Sequence, residues 1–276
     1  MLTGSKTLST DSSDLTPQTI AIRDIETLEE MHEVEELQRE IWRVSDLDVL
    51  PALALRPQKE VGAILIGAFA DKRMIGFVFG FPGILNGETI IHSDMLGVSN
   101  AYRSQSIGYL LKCAQREAAL KMGVKRVTWT FDPLQSRNAH LNFSKLGVVA
   151  DRYLVNYYGE TSSFLHQYGT DRLWVSWLLD SERVASRVDR HEAVKTPNLE
   201  VPALVRVGPN GEPVVNTDLS ERVLIEIPGE ANPEAWRDTT RAAFTLAFEA
   251  GYRIVDFYVT DKKTGVYLFT SSRSGS

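Results

Sequence analysis

"AYRSQSIGYL", residues 101–110, stands between a run that reads as a strand and a run that reads as a helix. A helix starts with several backbone N–H groups that have no partner inside it, and with a partial positive charge. Such an end binds phosphate without charged side chains, provided the turn is small enough for backbone to approach the anion. "RSQSIG" supplies Ser104, Ser106 and Gly108, with Arg103 as an optional charge. A phosphate loop usually carries more than one glycine, so on this stretch alone an ordinary strand-to-helix turn is the alternative.

The flanks give the turn its setting. Upstream, "ETIIHSDMLGV" (88–98) reads as a strand, preceded by the hairpin signal Asn86-Gly87, whose residues both tolerate positive φ. "AILIGAFA" (63–70) and "MIGFVFGF" (74–81) read as a meander turning at Asp71-Lys72, with Pro82-Gly83 expected to break the second run. "QTIAIRDI" (18–25) is a first strand. In the helix-like run that follows it, Met31, Val34, Leu37 or Gln38, and Ile41 recur at helical spacing. Its glutamates are expected to form a solvated face rather than a metal site. Residues 44–60 contain Pro51 and Pro57 and are expected to be loop or broken helix, and residues 1–17 a disordered lead-in.

Downstream, Ile107, Leu111, Ala114 and Ala118 keep a helical period that stops at Gly123. "KRVTWTFD" (125–132) is β-rich. "SRNAHLNFSKLG" (136–147) reads as a short helix with Ser136 as N-cap and Gly147 as terminator, and 148–159 as a strand. Residues 18–159 therefore read β-α-β-β-β-α-β-α-β. Beyond them come a strand (172–180), a polar helix (181–194), a hairpin around Pro209-Asn210-Gly211 and a strand (222–227). A helix opened by Asn232 and Pro233 and closed by Gly251 leads into a last hairpin, 252–259 with 265–270.

The stretch from Met95 to Asp132, followed by "SRNAHLNFSKLGVV", resembles the GNAT acyltransferase superfamily. Val98 and Tyr102-Arg103 fit that family's lead-in, and Arg103-Ser104-Gln105-Ser106-Ile107-Gly108 fits its loop, with Ser106 where the first motif glycine usually lies. Lys145-Leu146-Gly147-Val148 fits its closing signature. The resemblance covers roughly residues 18–159 and implies a mixed α/β (α+β) fold, a central, mostly antiparallel sheet flanked by helices, with 160–276 as an additional C-terminal α/β region. It also implies acetyl-CoA or another acyl-CoA as co-substrate. The pyrophosphate would sit on the N–H groups of Arg103, Ser104, Gln105, Ser106, Ile107 and Gly108. The pantetheine arm would run beside the splayed end of the 88–98 strand at Leu96 and Val98. Ser136 and Asn138 either pair with that arm or only cap their helix.

Acyl transfer to an amine needs a base, a stabilised oxyanion and a leaving thiolate. The resemblance implies a base on the strand before the loop, and the candidates there are Asp94, His92 and, at the strand's start, Glu88. Simple alternation puts Ile90, His92, Asp94 and Leu96 on one face. A strand-face His beside an Asp reads equally as a satisfied structural pair. The family's acid, a tyrosine on the later short helix, is replaced by Phe143, so that role is empty. His140, Asn142 and Ser136, or Tyr153, Tyr157 and Tyr158, are the local substitutes. A carboxylate-bearing substrate would need an arginine; Arg137, Arg152 and Arg172 are candidates, each expected at the surface.

The bulk numbers bound the partners. The chain has 276 residues, 43% of them hydrophobic, and a formal charge of -6. That balance speaks against nucleic acid. A single cysteine, Cys113, permits no intramolecular disulfide, suits a reducing cytoplasm and is expected to be buried and inert. No Cys/His cluster suggests a metal, and the longest apolar run, 61–70, is too short to cross a membrane. The expected function is acyl-CoA-dependent transfer of an acetyl or succinyl group to a small amine or amino acid. A non-catalytic acyl-CoA binder and a fold-only interaction module are the alternatives. Residues 160–276 would extend the sheet, cover the acceptor or join a homodimer.

Overall fold

A computed structural model describes residues 19–159, 168–192, 200–229, 233–260 and 263–271. The lead-in expected over 1–17 and the cap expected at Asn232 lie outside the described residues. The chain forms two compact units, one up to Val127 and one from Thr128 onward. The division falls inside the 18–159 segment that the sequence pattern groups together.

In the first unit, β1 (Ile20–Asp24), β2 (Ile64–Ala70), β3 (Arg73–Leu85) and β4 (Glu88–Val98) lie side by side in that order, every pair antiparallel. Asn86 (φ 52) and Gly87 (φ 81) turn β3 into β4 with both residues at positive φ, as that hairpin requires. Pro82 does not end β3. The β2 partner stops opposite Gly80, so from Pro82 onward β3 has only β4 beside it, an edge position where a missing N–H costs little.

Helix α1 (Leu28–Trp42) starts on a capping box in which the Thr27 hydroxyl accepts from Glu30 N–H and the Glu30 carboxylate accepts from Thr27 N–H. It buries Met31, Val34, Leu37, Gln38 and Ile41, and each of those apolar side chains contributes about 1.5–3 kcal/mol. Its glutamates do more than face solvent. Glu33 accepts from Met74 N–H and Glu40 from the Ser99 hydroxyl. Glu35 accepts the Ala52 N–H at 2.6 Å and so caps a second helix, α2 (Ala52–Glu60), which runs through the segment expected to be loop or broken helix. Gln38 ties down the chain before α2 by donating to Leu50 O and accepting from Leu50 N–H.

α1 and α3 (Ile107–Lys121) cover opposite faces of the sheet. Phe77, Phe79 and Met95 pack with Ile41 and Trp42 on the α1 side. On the other side, α3 brings Gly108 against Leu96 and Val98. All seven residues of β2 are buried, as a doubly covered strand requires.

In the second unit the strand order is β5 (Arg126–Phe131, which crosses the division), β7 (Arg172–Leu178), β6 (Val149–Leu154), β11 (Tyr252–Val259), β12 (Gly265–Ser271), β10 (Arg222–Ile227), β8 (Ala203–Val207) and β9 (Pro213–Val215). β8 and β10 pair in parallel; the pairs among β6, β7, β11, β12, β10 and between β8 and β9 are antiparallel. The short helix α4 (Ser136–Ala139) continues as a π-helical turn, His140–Leu146, and ends at Gly147 with φ 77. Its N-cap is Gln135 rather than Ser136. A similar short helix, α5 (Glu182–Val184), continues through Asp189, and α6 (Pro233–Glu249) is the long helix. An aromatic core of Phe143, Phe244, Phe257, Tyr267 and Phe269 fills the unit. The fold class is mixed α+β, with mostly antiparallel strands and flanking helices.

Candidate functional site

β4 is not a regular strand. Phe79 pairs with Met95 and Gly80 with Ser93, so Asp94 is an extra residue facing no partner on β3: a β-bulge. The bulge resets the alternation. Ile90 and His92 lie opposite Gly83 and Phe81, on the face that also carries Phe79 and Met95. Ile91, Ser93, Leu96 and Val98 fall on the other face. The simple alternation that put His92 and Leu96 on one face is therefore corrected: the inserted residue separates them. The His92 ring packs 5.6 Å from the Phe81 ring.

The loop after β4 has the backbone its small residues permit. Ser104 (φ 69) and Ser106 (φ 61) are both left-handed, and Ser106 is the N-cap of α3 without a side-chain cap hydrogen bond. Left-handed residues alternating with others, as Ser104 and Ser106 do about Gln105, can turn successive N–H groups toward one side as a backbone anion nest does. Arg103, Ser104, Gln105 and Ser106 are exposed, while Ile107 is buried and anchors the helix start. A Cβ on Gly108 would lie 3.8 Å from Leu96 Cδ2 and 4.0 Å from Val98 Cγ2. The helix N-terminus thus faces the last residues of β4. Leu96 and Val98 thus meet the Gly108 end of the 103–108 loop.

Glu88 is not part of it. It lies six residues before Asp94, about 20 Å away along an extended strand, and its carboxylate pairs with Arg126 at 2.9 Å. Ser136 and Asn138 belong to the second unit, at the first turn of α4.

The two remaining base candidates are tuned by burial. Asp94 is exposed at the surface, yet desolvation holds its carboxyl above the usual range. Desolvation first, then the Lys112 charge, hold the His92 imidazole below its ordinary value, so it is neutral near pH 7.

The sequence reading missed Lys112, which sits beside the apolar period of α3 and looks like a surface residue. It is 2% exposed. Its Nζ donates to Ser93 Oγ at 3.0 Å and to Gln115 Oε1 at 2.7 Å. Burial pushes its pKa well down. Gln115 Nε2 is buried with no hydrogen-bond partner among the described residues. Gly80, opposite Ser93, makes room for this cluster: a Cβ there would stand 2.8 Å from Gln115 Nε2 and 2.9 Å from His92 O. The only signal in the sequence is the spacing Ile107, Leu111, Gln115, Ala119, which puts Gln115 in a buried row.

Phe143, at the position of the absent acid, is fully buried between the rings of Phe131 and Tyr267. The Tyr153 hydroxyl donates to Asp171, and desolvation together with that carboxylate raises its pKa strongly. Tyr157 and Tyr158 are exposed; His140 Nδ1 is buried with no partner among the described residues. Cys113 is half-buried, not buried as expected. Arg137 is exposed, and Arg152 is exposed with its guanidinium 4.2 Å from the Trp174 ring. Arg172, expected at the surface, is buried at 7% exposure. Among the described residues no group of three or more His, Cys, Asp or Glu side chains converges as a metal site would require, and no helix is long and apolar enough to cross a membrane.

No family model and no curated protein matches the chain. Solved structures do. The ribosomal-protein-S18-alanine N-acetyltransferase from Escherichia coli matches 66% of this chain and 99% of its own, at 13% identity and TM-score 0.46. An aminoglycoside 6'-acetyltransferase type Ii matches 58% and 97%, at 17% identity and TM-score 0.45. The PaiA N-acetyltransferase from Thermoplasma acidophilum, solved in complex with coenzyme A, matches 57% and 97%, at 20% identity and TM-score 0.42. Part of this chain is similar in fold to GNAT acetyltransferases. At those identities and scores the likeness is one of fold, and the chemistry has to come from the residues.

Proposed function

We propose that the chain is an acyl-CoA-dependent N-acyltransferase acting on a small amine or amino acid, with residues 18–159 as the acyl-CoA segment. The observation that carries this reading is the pairing of a β-bulge at Asp94 with a backbone nest at 104–106, joined where Gly108 meets Leu96 and Val98. The nest and the start of α3 suit a pyrophosphate. The unpaired backbone at the bulge suits an amide-bearing arm such as pantetheine, which would pair with it as an extra strand does. The single cysteine is in keeping with a cytoplasmic protein.

The reaction joins the amine nitrogen to the thioester carbon and breaks the carbon–sulfur bond. The amine proton goes to Asp94, whose carboxylate burial makes more basic than an ordinary one. His92, neutral but on the Phe81 side of the bulge, is the secondary candidate. Backbone N–H groups near Leu96–Val98 would hold the oxyanion. A thiolate leaves without a dedicated acid, in keeping with Phe143.

Thiol release with acetyl-CoA or succinyl-CoA across a panel of amines and amino acids tests the proposal. Turnover is expected, with Asp94→Asn lowering kcat more than His92→Ala. Turnover unchanged in both variants would overturn the base assignment. Binding of acyl-CoA without turnover would favour the non-catalytic reading, which the buried Phe143 also suits.

A further inference from the structure

The proposed transfer leaves a buried amine in the first unit without a role. Lys112 donates to Ser93 Oγ at 3.0 Å and to Gln115 Oε1 at 2.7 Å, and all three residues are buried. Taking an amine out of water destabilises a fold relative to an apolar chain of similar length. Stability therefore does not account for Lys112, and its place in the fold has to.

That place is the face of α3 that lies along β4. Gly108, Lys112 and Gln115 are spaced i, i+4 and i+7, one face of a helix. A Cβ on Gly108 would meet Leu96 and Val98, Lys112 reaches Ser93, and Gln115 Nε2 would stand 2.8 Å from a Cβ on Gly80, the residue opposite Ser93. The row thus runs down β4 from its tail to the bulge, with the left-handed serines at one end and Asp94 beside the other. The contacts at Gly108 are apolar, and apolar contact has no preferred direction. A hydrogen bond from an amine to one hydroxyl does. Gly108 and Lys112 are about 6 Å apart along the helix axis. The Lys112–Ser93 bond therefore fixes where the helix start stands along β4, one turn from the bond.

The far end of the bulged segment is held separately. Ser99 N–H donates to Ile75 O at 2.8 Å, and the Ser99 hydroxyl donates to Glu40 of α1 at 2.6 Å. Ser93 and Ser99 bracket residues 94–98, the stretch proposed to carry the base and to take the cofactor arm. Asp94 faces no partner on β3, and Gly80 brings no side chain to Ser93, so the side-chain anchor beside the bulge comes from α3. We infer, on the acyl-CoA reading above, that Lys112 is a positioning residue: through Ser93 it sets the bulge at Asp94 against the helix that carries the anion loop. It acts on the rate through the placement of Asp94, while the backbone of the 103–108 loop keeps its own form.

A double-mutant cycle of Lys112→Met and Ser93→Ala tests the role. The readouts are kcat from thiol release, Kd for acetyl-CoA from calorimetry, and amide exchange by NMR. Methionine keeps the length of the side chain and removes its donors. Each single variant is expected to lower kcat about 10-fold, within the cost of up to about 100-fold that a misplacement of about 1 Å carries. The Kd for acetyl-CoA is expected to change by less than about 3-fold. The double variant is expected to be no slower than the slower single one, because both remove the same bond. Unchanged kcat in the singles, effects that multiply in the double, or acetyl-CoA binding that falls as far as kcat would each overturn the inference. If Lys112→Met does not fold, kcat and Kd of Ser93→Ala decide. No turnover by the wild type would strike the proposed function instead, and amide exchange then decides the anchor. Faster exchange confined to residues 91–96 in the folded variants supports it; unchanged or chain-wide faster exchange overturns it.

Discussion

Gly108→Ala separates the anion loop from an ordinary turn, because the two readings assign opposite costs to one methyl group. Gly108 is the second residue of α3 and its φ lies outside the positive region, so alanine suits the backbone. The new Cβ would meet Leu96 and Val98 at 3.8 and 4.0 Å, ordinary contact distances. Helix propensity then favours alanine by up to about 1 kcal/mol, less in a first turn than in a helix interior. The variant is expected to melt at or up to about 4 °C above the wild type. On the proposed placement, the same methyl crowds the helix start beside the tail of β4, where the cofactor would lie. Losing one charge-assisted hydrogen bond to the pyrophosphate, about 1.5–3 kcal/mol, weakens binding about 10- to 100-fold. The assays are a thermal melt and an acetyl-CoA titration on the same preparation. A variant that is equally stable and binds acetyl-CoA as well as wild type would refute the placement of the cofactor at this crossing.

Four further outcomes follow from the geometry. Deleting Asp94 leaves Ser93 and Met95 in their present pairs and restores a regular strand, so circular dichroism should stay native while acyl-CoA titration shows binding lost. The Asp94 carboxyl is raised in the folded state, so the wild type loses stability as pH rises through and above the ordinary carboxylate range; Asp94→Asn should remove that loss in melts between pH 3.5 and 8. Lys112 is depressed in the folded state, so the unfolded chain binds the extra proton and stability falls as pH drops below about 10.4; Lys112→Met should flatten that slope in denaturant titrations. Phe143→Tyr places a hydroxyl in a fully buried aromatic core, so it should cost about 1–3 kcal/mol in chemical denaturation and leave kcat without gain.

The elements with strong local patterns were legible. The β4 boundaries, the Asn86-Gly87 turn, the Gly123 and Gly147 stops and the 222–227 and 252–259 strands all lie where the residues put them. What was not legible depends on contacts between segments. Pro82 stays in β3 because β2 has already ended, a fact of register rather than of local sequence. The 52–60 helix takes its cap from Glu35, seventeen residues earlier, a contact between segments that the local sequence does not show. The bulge at Asp94 leaves no mark on composition, yet it decides which face His92 takes. Lys112 and Arg172 read as ordinary surface cations; only packing reveals that both are buried.

The central claim is that the 103–108 loop and the bulged end of β4 hold an acyl-CoA. Calorimetry with acetyl-CoA and succinyl-CoA on the wild type and on Gly108→Trp tests it directly. Saturable one-site binding to the wild type, lost in a folded Gly108→Trp, is the expected result. No heat with either thioester, or equal binding by the tryptophan variant, would contradict the account.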